Sequence, residues 1–475
     1  MSAFGPKNGA RNRRPIILVS IIIVIALLGT AYHLAPRFER EAPQIKLTRD
    51  SDVLGLAPLE VVVTDHGAGL KSVTAILSSG GSEHTLVSEQ YSLPITEKTI
   101  TVAFSSKLAG VKEGPAVLRV SARDGSLWNF FHGNETTIQK NLTIDITPPA
   151  VEIVADDRYV NFGGAGAIVY KASADAIKTG VRVGDYFFPG YQGQIKGHPD
   201  NFIAFFAHPY IVPVETKAAL VAIDKAGNSR EMPLDYQLKN VKYRKRNVAI
   251  SDHFIQSKVV PLLNDVGAHQ GSPKDVFIRV NRDLRKENED KITAITKRST
   301  PSILWKGVFN QLSNSKVEAN FADKRTYIYD KQVIDTAYHL GYDLSVTKHY
   351  PVEAANSGTV AFAGDLGIYG NVVILDHGLG LFTLYAHLSS IDVKVGDSIK
   401  RRQIIGKTGE TGLAGGDHLH YGVYLDGVAI LPLEWWDQKW IDDNIEPKLE
   451  GQSGKAIAES QQSTASHKAA RKRHR

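Results

Sequence analysis

Apolar residues recur with a period of two in short runs along most of this chain, and that spacing favours strands over helices. LEVVVTD, KSVTAIL, KTITVAF, AVLRVSA and LTIDI fall within residues 44–148, separated by Gly, Ser, Asp and Asn clusters. Alternation gives each sheet one apolar face, and two such faces close into a sandwich. Residues 149–240 repeat the texture with VEIVA, AIVYKAS, GVRVGDYFF, NFIAFFA and AALVAIDKAGNSREMPLDYQ. The run from Ala222 to Asn228 echoes the run from Val120 to Gly125, each placing an Asp-containing turn after an apolar strand. Pro148 and Pro149 mark the boundary, because two prolines interrupt a ladder and stiffen a link.

The two stretches, 44–148 and 149–240, resemble immunoglobulin-like domains in series. Their simplest role is as spacers, and binding of a wall component or partner is the alternative. Residues 251–300 change character. Asp275 to Arg298 is rich in Glu, Lys, Arg and Asp, has apolar residues at Ile278, Leu284, Ile292 and Ile295, and lacks Gly and Pro. That composition predicts a helical linker. Residues 301–440 return to β texture, are dense in Gly, and hold six of the 16 histidines. Residues 441–475 read as a disordered basic tail.

Residues Ile16 to Tyr32 carry no charge, and Lys7, Arg11, Arg13 and Arg14 precede them. Seventeen residues just reach across a bilayer core of about 30 Å. The sequence therefore predicts a basic cytoplasmic N-terminus at 1–15 and a transmembrane anchor at 16–34. The positive-inside rule places the rest of the chain outside the cytoplasm. A cleaved signal peptide ending near Gly29-Thr30-Ala31 is the other reading, and it exports the same residues.

The net charge of +6 sits largely at the two ends, which argues against a nucleic-acid groove across the body. There is no cysteine. Disulfides, thiolate metal sites and cysteine nucleophiles are thereby excluded, so any transition-metal site must be built from histidine and carboxylate.

Three pieces offer such groups: His339-Leu-Gly-Tyr-Asp343, Tyr385-Ala-His387-Leu and Asp417-His418-Leu-His420-Tyr-Gly. His418 and His420 share a face in a strand, and His339 and Asp343 are four apart, so each pair can converge on one point. A catalytic zinc needs three N or O ligands and one open position. Alone each piece is weak, but together they supply such a set with histidines to spare for proton transfer.

Residues 318–434 resemble the lysostaphin-type, or M23, metallopeptidases, also called the LytM domain. The likeness runs through Phe321 to Tyr327, His339-x-Gly341-x-Asp343, Tyr369-Gly-Asn371, Thr383-Leu-Tyr-Ala-His-Leu-Ser389, Thr408-Gly-x-Thr-Gly412 and His418-Leu-His420-Tyr-Gly422. The resemblance implies one Zn2+ per catalytic domain, held by His339, Asp343 and His420. It implies His387 and His418 as catalytic groups that orient or deprotonate water and stabilise the oxyanion. Asp417 departs from the family pattern and is expected to alter local turn geometry or the orientation of His418. His377 reads as structural and His349 as a loop residue.

The expected fold class is mainly β: two tandem β-sandwich domains, a helical linker and a C-terminal antiparallel β metallopeptidase domain at 301–440. The implied activity is zinc-dependent hydrolysis of peptide cross-links in bacterial peptidoglycan during wall growth or division. The expected protein is single-pass in the bacterial inner membrane with its C-terminal domains in the periplasm, and its partners are peptidoglycan, the membrane through the N-terminal helix, and cell-wall or division proteins. The alternative is a regulatory or binding LytM-type module that activates another wall hydrolase.

Overall fold

The computed structural model describes residues 14–49, 51–104, 111–263, 271–454 and 457. It divides into two compact units, Met1–Pro148 with Asp224–Asn228 and Pro149–Ile223 with Ser229–Arg475.

In the first unit a three-stranded sheet (Gln44–Leu47, Leu59–Thr64, Glu97–Val102) faces a five-stranded one. Their inner faces share one core, with Val61, Val63, Val73, Leu77, Leu118 and Val120 buried. The alternating runs account for it: in Leu59–Thr64 every second residue is fully buried. The strand Ser82–Ile95 escapes the sequence reading because it is an edge strand, largely polar and partly exposed. The echo between the two Asp turns has a structural counterpart. Asp124 accepts hydrogen bonds from the backbone N and the Nδ2 of Asn134, at 2.7 and 2.8 Å. Asp224 accepts the same pair from Asn228, both at 2.9 Å. In each case one carboxylate pins a turn through a single Asn.

The apolar run expected as an anchor is one helix, α1 (Arg14–Leu34). Its side chains are described at 19, 21–30 and 32. Among the described residues no helix is long and apolar enough to cross a membrane. The basic segment 1–13 lies outside the described residues.

The second unit holds a pair of four-stranded sheets, the helical segment and the C-terminal sheet around one continuous core. Phe205, Trp305, Phe309 and Trp435 meet at ring separations of 5.3 to 6.5 Å, joining the upstream sandwich to the C-terminal part. The helical linker is present. It includes α2 (Pro273–Arg279) and α3 (Arg285–Thr296), and a capping box between Ser272 and Asp275 starts α2. Residues 441–475, expected to be disordered, begin instead with helical turns at Gln438–Asn444 and Glu446–Leu449. The reason is spacing: Ile441, Ile445 and Leu449 are four apart and pack on the core, and Lys448 is buried in an ion pair with Asp157. Apart from Ile457, residues 455–475 lie outside the described residues.

The C-terminal sheet is built from β1 (Lys316–Ala319), β4 (Tyr342–Ser345), β5 (Gly358–Asp365), β6 (Asn371–Asp376), β7 (Leu381–Leu388), β8 (Ser398–Ile399), β9 (Leu419–Leu425) and β10 (Val428–Ile430). Its order is β1-β4-β9-β7-β6-β5-β8, antiparallel throughout, with β10 also on β9. A hairpin of β2 (Lys324–Tyr329) and β3 (Gln332–Tyr338) stands beside it, and Lys245–Ala249 adds to β2 in parallel.

Candidate metal centre

Register builds this site. In the ladder between β4 and β9, Asp343 lies directly opposite His420, and on the other side of β9, Ala386 lies opposite His420. Directly paired residues have Cβ atoms about 5 Å apart. Asp343 and His420 are therefore neighbours by strand pairing, and His387 follows one residue beyond.

His339 arrives differently. The sequence reading treats His339 and Asp343 as sharing a face of a regular element. In the structure His339 lies outside the strands, between β3 and β4, fixed by backbone bonds to Ala322 and Asp323. Gly341 turns the chain between them. A Cβ there would stand 2.4 Å from the Tyr421 carbonyl oxygen and 2.8 Å from His420 Nε2, so no other residue fits without displacing the site. The two groups converge because of a glycine and close packing, not because of periodicity.

The resulting geometry is tight. His339 Nε2 lies 2.8 Å from Asp343 Oδ1 and 2.9 Å from His420 Nδ1, and His420 Nδ1 lies 3.1 Å from Asp343 Oδ1. His339 Nδ1 donates to the Asn320 carbonyl at 2.9 Å, which leaves Nε2 with its lone pair facing inward. Three acceptors aimed at one point repel one another unless a proton or a cation lies among them. His420 Nε2 is buried and has no hydrogen-bond partner. Two imidazoles and one carboxylate, all buried or nearly so, make a donor set suited to zinc.

Two further histidines border this point. His418 Nε2 lies 3.5 Å from Asp343 Oδ1, while its Nδ1 donates to the Gly416 carbonyl at 2.8 Å. His387 Nδ1 donates to the Thr411 carbonyl at 2.8 Å. The His387 and His418 rings are 4.9 Å apart. His387 has φ of 63°, a conformation disfavoured for a residue with a Cβ, and such strain concentrates at functional sites.

The electrostatics follow from burial and from Asp343. Burial pushes Asp343 up, but the facing His339, His418 and His420 outweigh it and hold the carboxyl well below its usual range. Burial pushes His387 well down, reinforced by His418 and His420. Burial also lowers His420, to about 4. His418 is partly buried, which lowers it, yet its bond to Asp343 wins and raises it.

All five histidine and aspartate positions singled out from the sequence thus meet in one cleft of about 410 Å³. The other candidates lie elsewhere. Asp417 accepts from Thr408 Oγ1 at 2.6 Å and from His349 N at 3.2 Å, so it holds the turn before His418. His349 is exposed, in a separate turn at 347–350. His377 is fully buried, with Nδ1 on the Ser357 carbonyl and Nε2 on Thr383 Oγ1, both at 2.7 Å.

Sequence reasoning missed Arg325. Its Nη2 donates to Asp343 Oδ2 at 2.8 Å, so the carboxylate is shared between Arg325 on one oxygen and the histidines on the other. Arg246, Arg285, Phe254 and Phe277 also line the cleft, from the helical segment and from strand Lys245–Ala249. Nothing local marks them. Arg325 lies within the stretch from Phe321 to Tyr327 that resembles the family, but an arginine on a strand ordinarily faces solvent.

Residues 337–432 match Peptidase family M23, so the chain carries an M23 peptidase domain there. The chain is 38% identical over 95 residues to the DD-carboxypeptidase/endopeptidase Mpg of Neisseria meningitidis, covering 20% of this chain and 22% of that protein. It is 36% identical over 118 residues to the peptidoglycan DD-endopeptidase ShyA of Vibrio cholerae, covering 25% of this chain and 27% of that protein. Among solved structures, a putative peptidase M23 from Pseudomonas aeruginosa aligns over 58% of this chain and 93% of its own, at 20% identity and a TM-score of 0.38. The chain spans about a quarter of the length of the curated relatives it matches.

Proposed function

We propose that this protein is a zinc-dependent endopeptidase that cuts peptide cross-links in bacterial peptidoglycan during wall growth or division, held to the inner membrane by residues 16–34 with its C-terminal domains in the periplasm. The observation that carries the reading is the convergence of His339 Nε2, Asp343 Oδ1 and His420 Nδ1 within 2.8 to 3.1 Å. The match of residues 337–432 to the family, and the peptidoglycan endopeptidases among the relatives, support the substrate class. The direct link between D-amino-acid stem peptides is the favoured bond.

In this reading His339, Asp343 and His420 hold the metal. Zinc bound there supplies Lewis acidity to water and to the scissile carbonyl. Arg325 keeps Asp343 from rotating and leaves one oxygen for the metal. Among the described residues no carboxylate pairs with His387, which is held through Nδ1, so its Nε2 can take the proton of the attacking water. His418 faces Asp343, which favours its protonated form, and it donates to the developing oxyanion and then to the leaving amine. The two upstream sandwiches are read as immunoglobulin-like domains that space the site from the membrane and present it to the wall.

Digestion of purified cross-linked peptidoglycan, followed by mass spectrometry of the fragments, tests the reading. Loss of cross-linked dimers with zinc, and not with chelator or with His420→Ala, is the expected result. Intact dimers after incubation with the zinc-loaded protein would turn the reading toward a regulatory module.

A further inference from the structure

The loop Trp128–Phe131, between the strands Gly114–Asp124 and Glu135–Ile144, breaks two rules at once. Phe130 is 89% exposed, Phe131 69% and Trp128 38%, so three adjacent large apolar groups face outward. Asn129, Phe130 and Phe131 also have φ of 55°, 54° and 67°, three consecutive left-handed residues without a glycine. Side chains with a Cβ avoid that region, and aromatic residues gain nothing from it in water. A loop that keeps such a conformation to display aromatic rings is built for a contact.

The loop's neighbours tie it to the segment after α1. Leu127 N donates to the Arg37 carbonyl, and Ser126 Oγ reaches the carbonyls of Arg37 and Glu39 at 3.1 and 3.0 Å. Asn134 Nδ2, on the other flank, donates to the carbonyls of Glu39 and Glu41 at 3.1 and 3.3 Å. The Arg40 guanidinium lies 4.2 Å over the Trp128 ring. Both shoulders of the loop are therefore bolted to residues 37–41, which directly follow α1. On α1 itself the large apolar side chains from Val19 to Leu28 are all exposed by half or more.

We propose that the Trp128–Phe131 loop is an interfacial membrane contact, inserting its aromatic rings into the lipid headgroup region beside the exit of α1, with Arg37 and Arg40 facing lipid phosphates. The inference rests on the reading of 16–34 as the membrane anchor. Tryptophan and arginine partition to that depth because both are amphipathic, and the two phenylalanine rings add apolar area that a membrane surface buries. A second attachment point next to the helix restricts tilting of the first sandwich against the bilayer.

The test uses the full-length protein in vesicles of phosphatidylethanolamine and phosphatidylglycerol, with the lipids brominated at a shallow acyl position. Wild-type tryptophan emission should be quenched relative to that in unbrominated vesicles. Trp128→Phe should lose that quenching, since the other four tryptophans lie at 305–440. Phe130→Ser with Phe131→Ser should cut the Trp128 quenching at least twofold while leaving circular dichroism unchanged. Flotation with the vesicles and equal quenching of wild type and Trp128→Phe overturns the loop's role and leaves the anchor standing. Failure to float removes the anchor and the loop contact with it.

Discussion

His377 and His420 are both buried on the C-terminal sheet, but they are held in opposite ways. Each nitrogen of His377 has one protein partner at 2.7 Å, and burial pushes its pKa down to about 4, so a neutral ring sits in a closed network with Ser357 and Thr383. His420 has one nitrogen without a partner and the other crowded against His339 and Asp343. A histidine whose bonds are complete is architecture, whereas one whose nitrogen converges with other ligating atoms on a single point has the geometry of a metal ligand. Both lie in motifs of the same family likeness, so neighbouring sequence does not separate them.

The comparison breaks most visibly under substitution. His420→Ala should lower cleavage of cross-linked peptidoglycan by about 10³-fold or more, with the thermal midpoint of the zinc-free protein nearly unchanged. Next comes His377→Ala, which takes away the partner of the Ser357 carbonyl, leaves Thr383 with Tyr385 alone, and opens a cavity; it should cost roughly 2–4 kcal/mol of stability. Its activity per folded molecule should stay near wild type, and urea unfolding read alongside turnover separates the two effects. If His377→Ala abolishes turnover in fully folded protein, the distinction fails.

Arg325→Gln sharpens the picture at the site's edge. It frees Asp343 Oδ2 and should weaken zinc about tenfold or more, measured by competition with a chromophoric chelator, and Arg325→Lys should recover part of the loss. An unchanged zinc affinity would make Arg325 a groove residue only.

The smallest effect concerns a satisfied carboxyl. Glu434 accepts from Ala165 N and Asn161 Nδ2 at 2.7 and 2.6 Å, and burial still pushes it up to about 8. The folded state therefore holds this proton more tightly than the unfolded chain does. Its stabilising contribution is complete below the ordinary carboxyl value of 4.5 and is lost as pH rises towards about 8. Glu434→Gln should flatten the fall in stability over that window, as read from thermal midpoints at a series of pH values. A slope identical to wild type would show that Glu434 does not titrate there.

Much of this was legible in the chain. Period-two alternation located the strands of both sandwiches, and a Gly-free, charge-rich stretch located the helical linker, because burial on one face leaves a local imprint. His339, Asp343, His387, His418 and His420 were nominated by three short motifs taken together and by the family resemblance that assigns their roles, since residue type and order are properties of the sequence. The edge strand Ser82–Ile95 was not legible, because an edge exposed to water needs no apolar face. Nor were the helical turns after Gln438, whose three apolar residues gain meaning only from the core they meet.

What the sequence determined by itself was which elements form and which side chains are available to hold a metal. Tertiary structure alone decided that Gly341 would fold His339 back on His420, that Arg325 would take the second oxygen of Asp343, and that helices would wall the cleft. It also set the aromatic loop against residues 37–41. Those outcomes depend on register and on contacts between residues far apart in the chain. Local spacing encodes which face is buried, but it carries no record of what that face will be buried against.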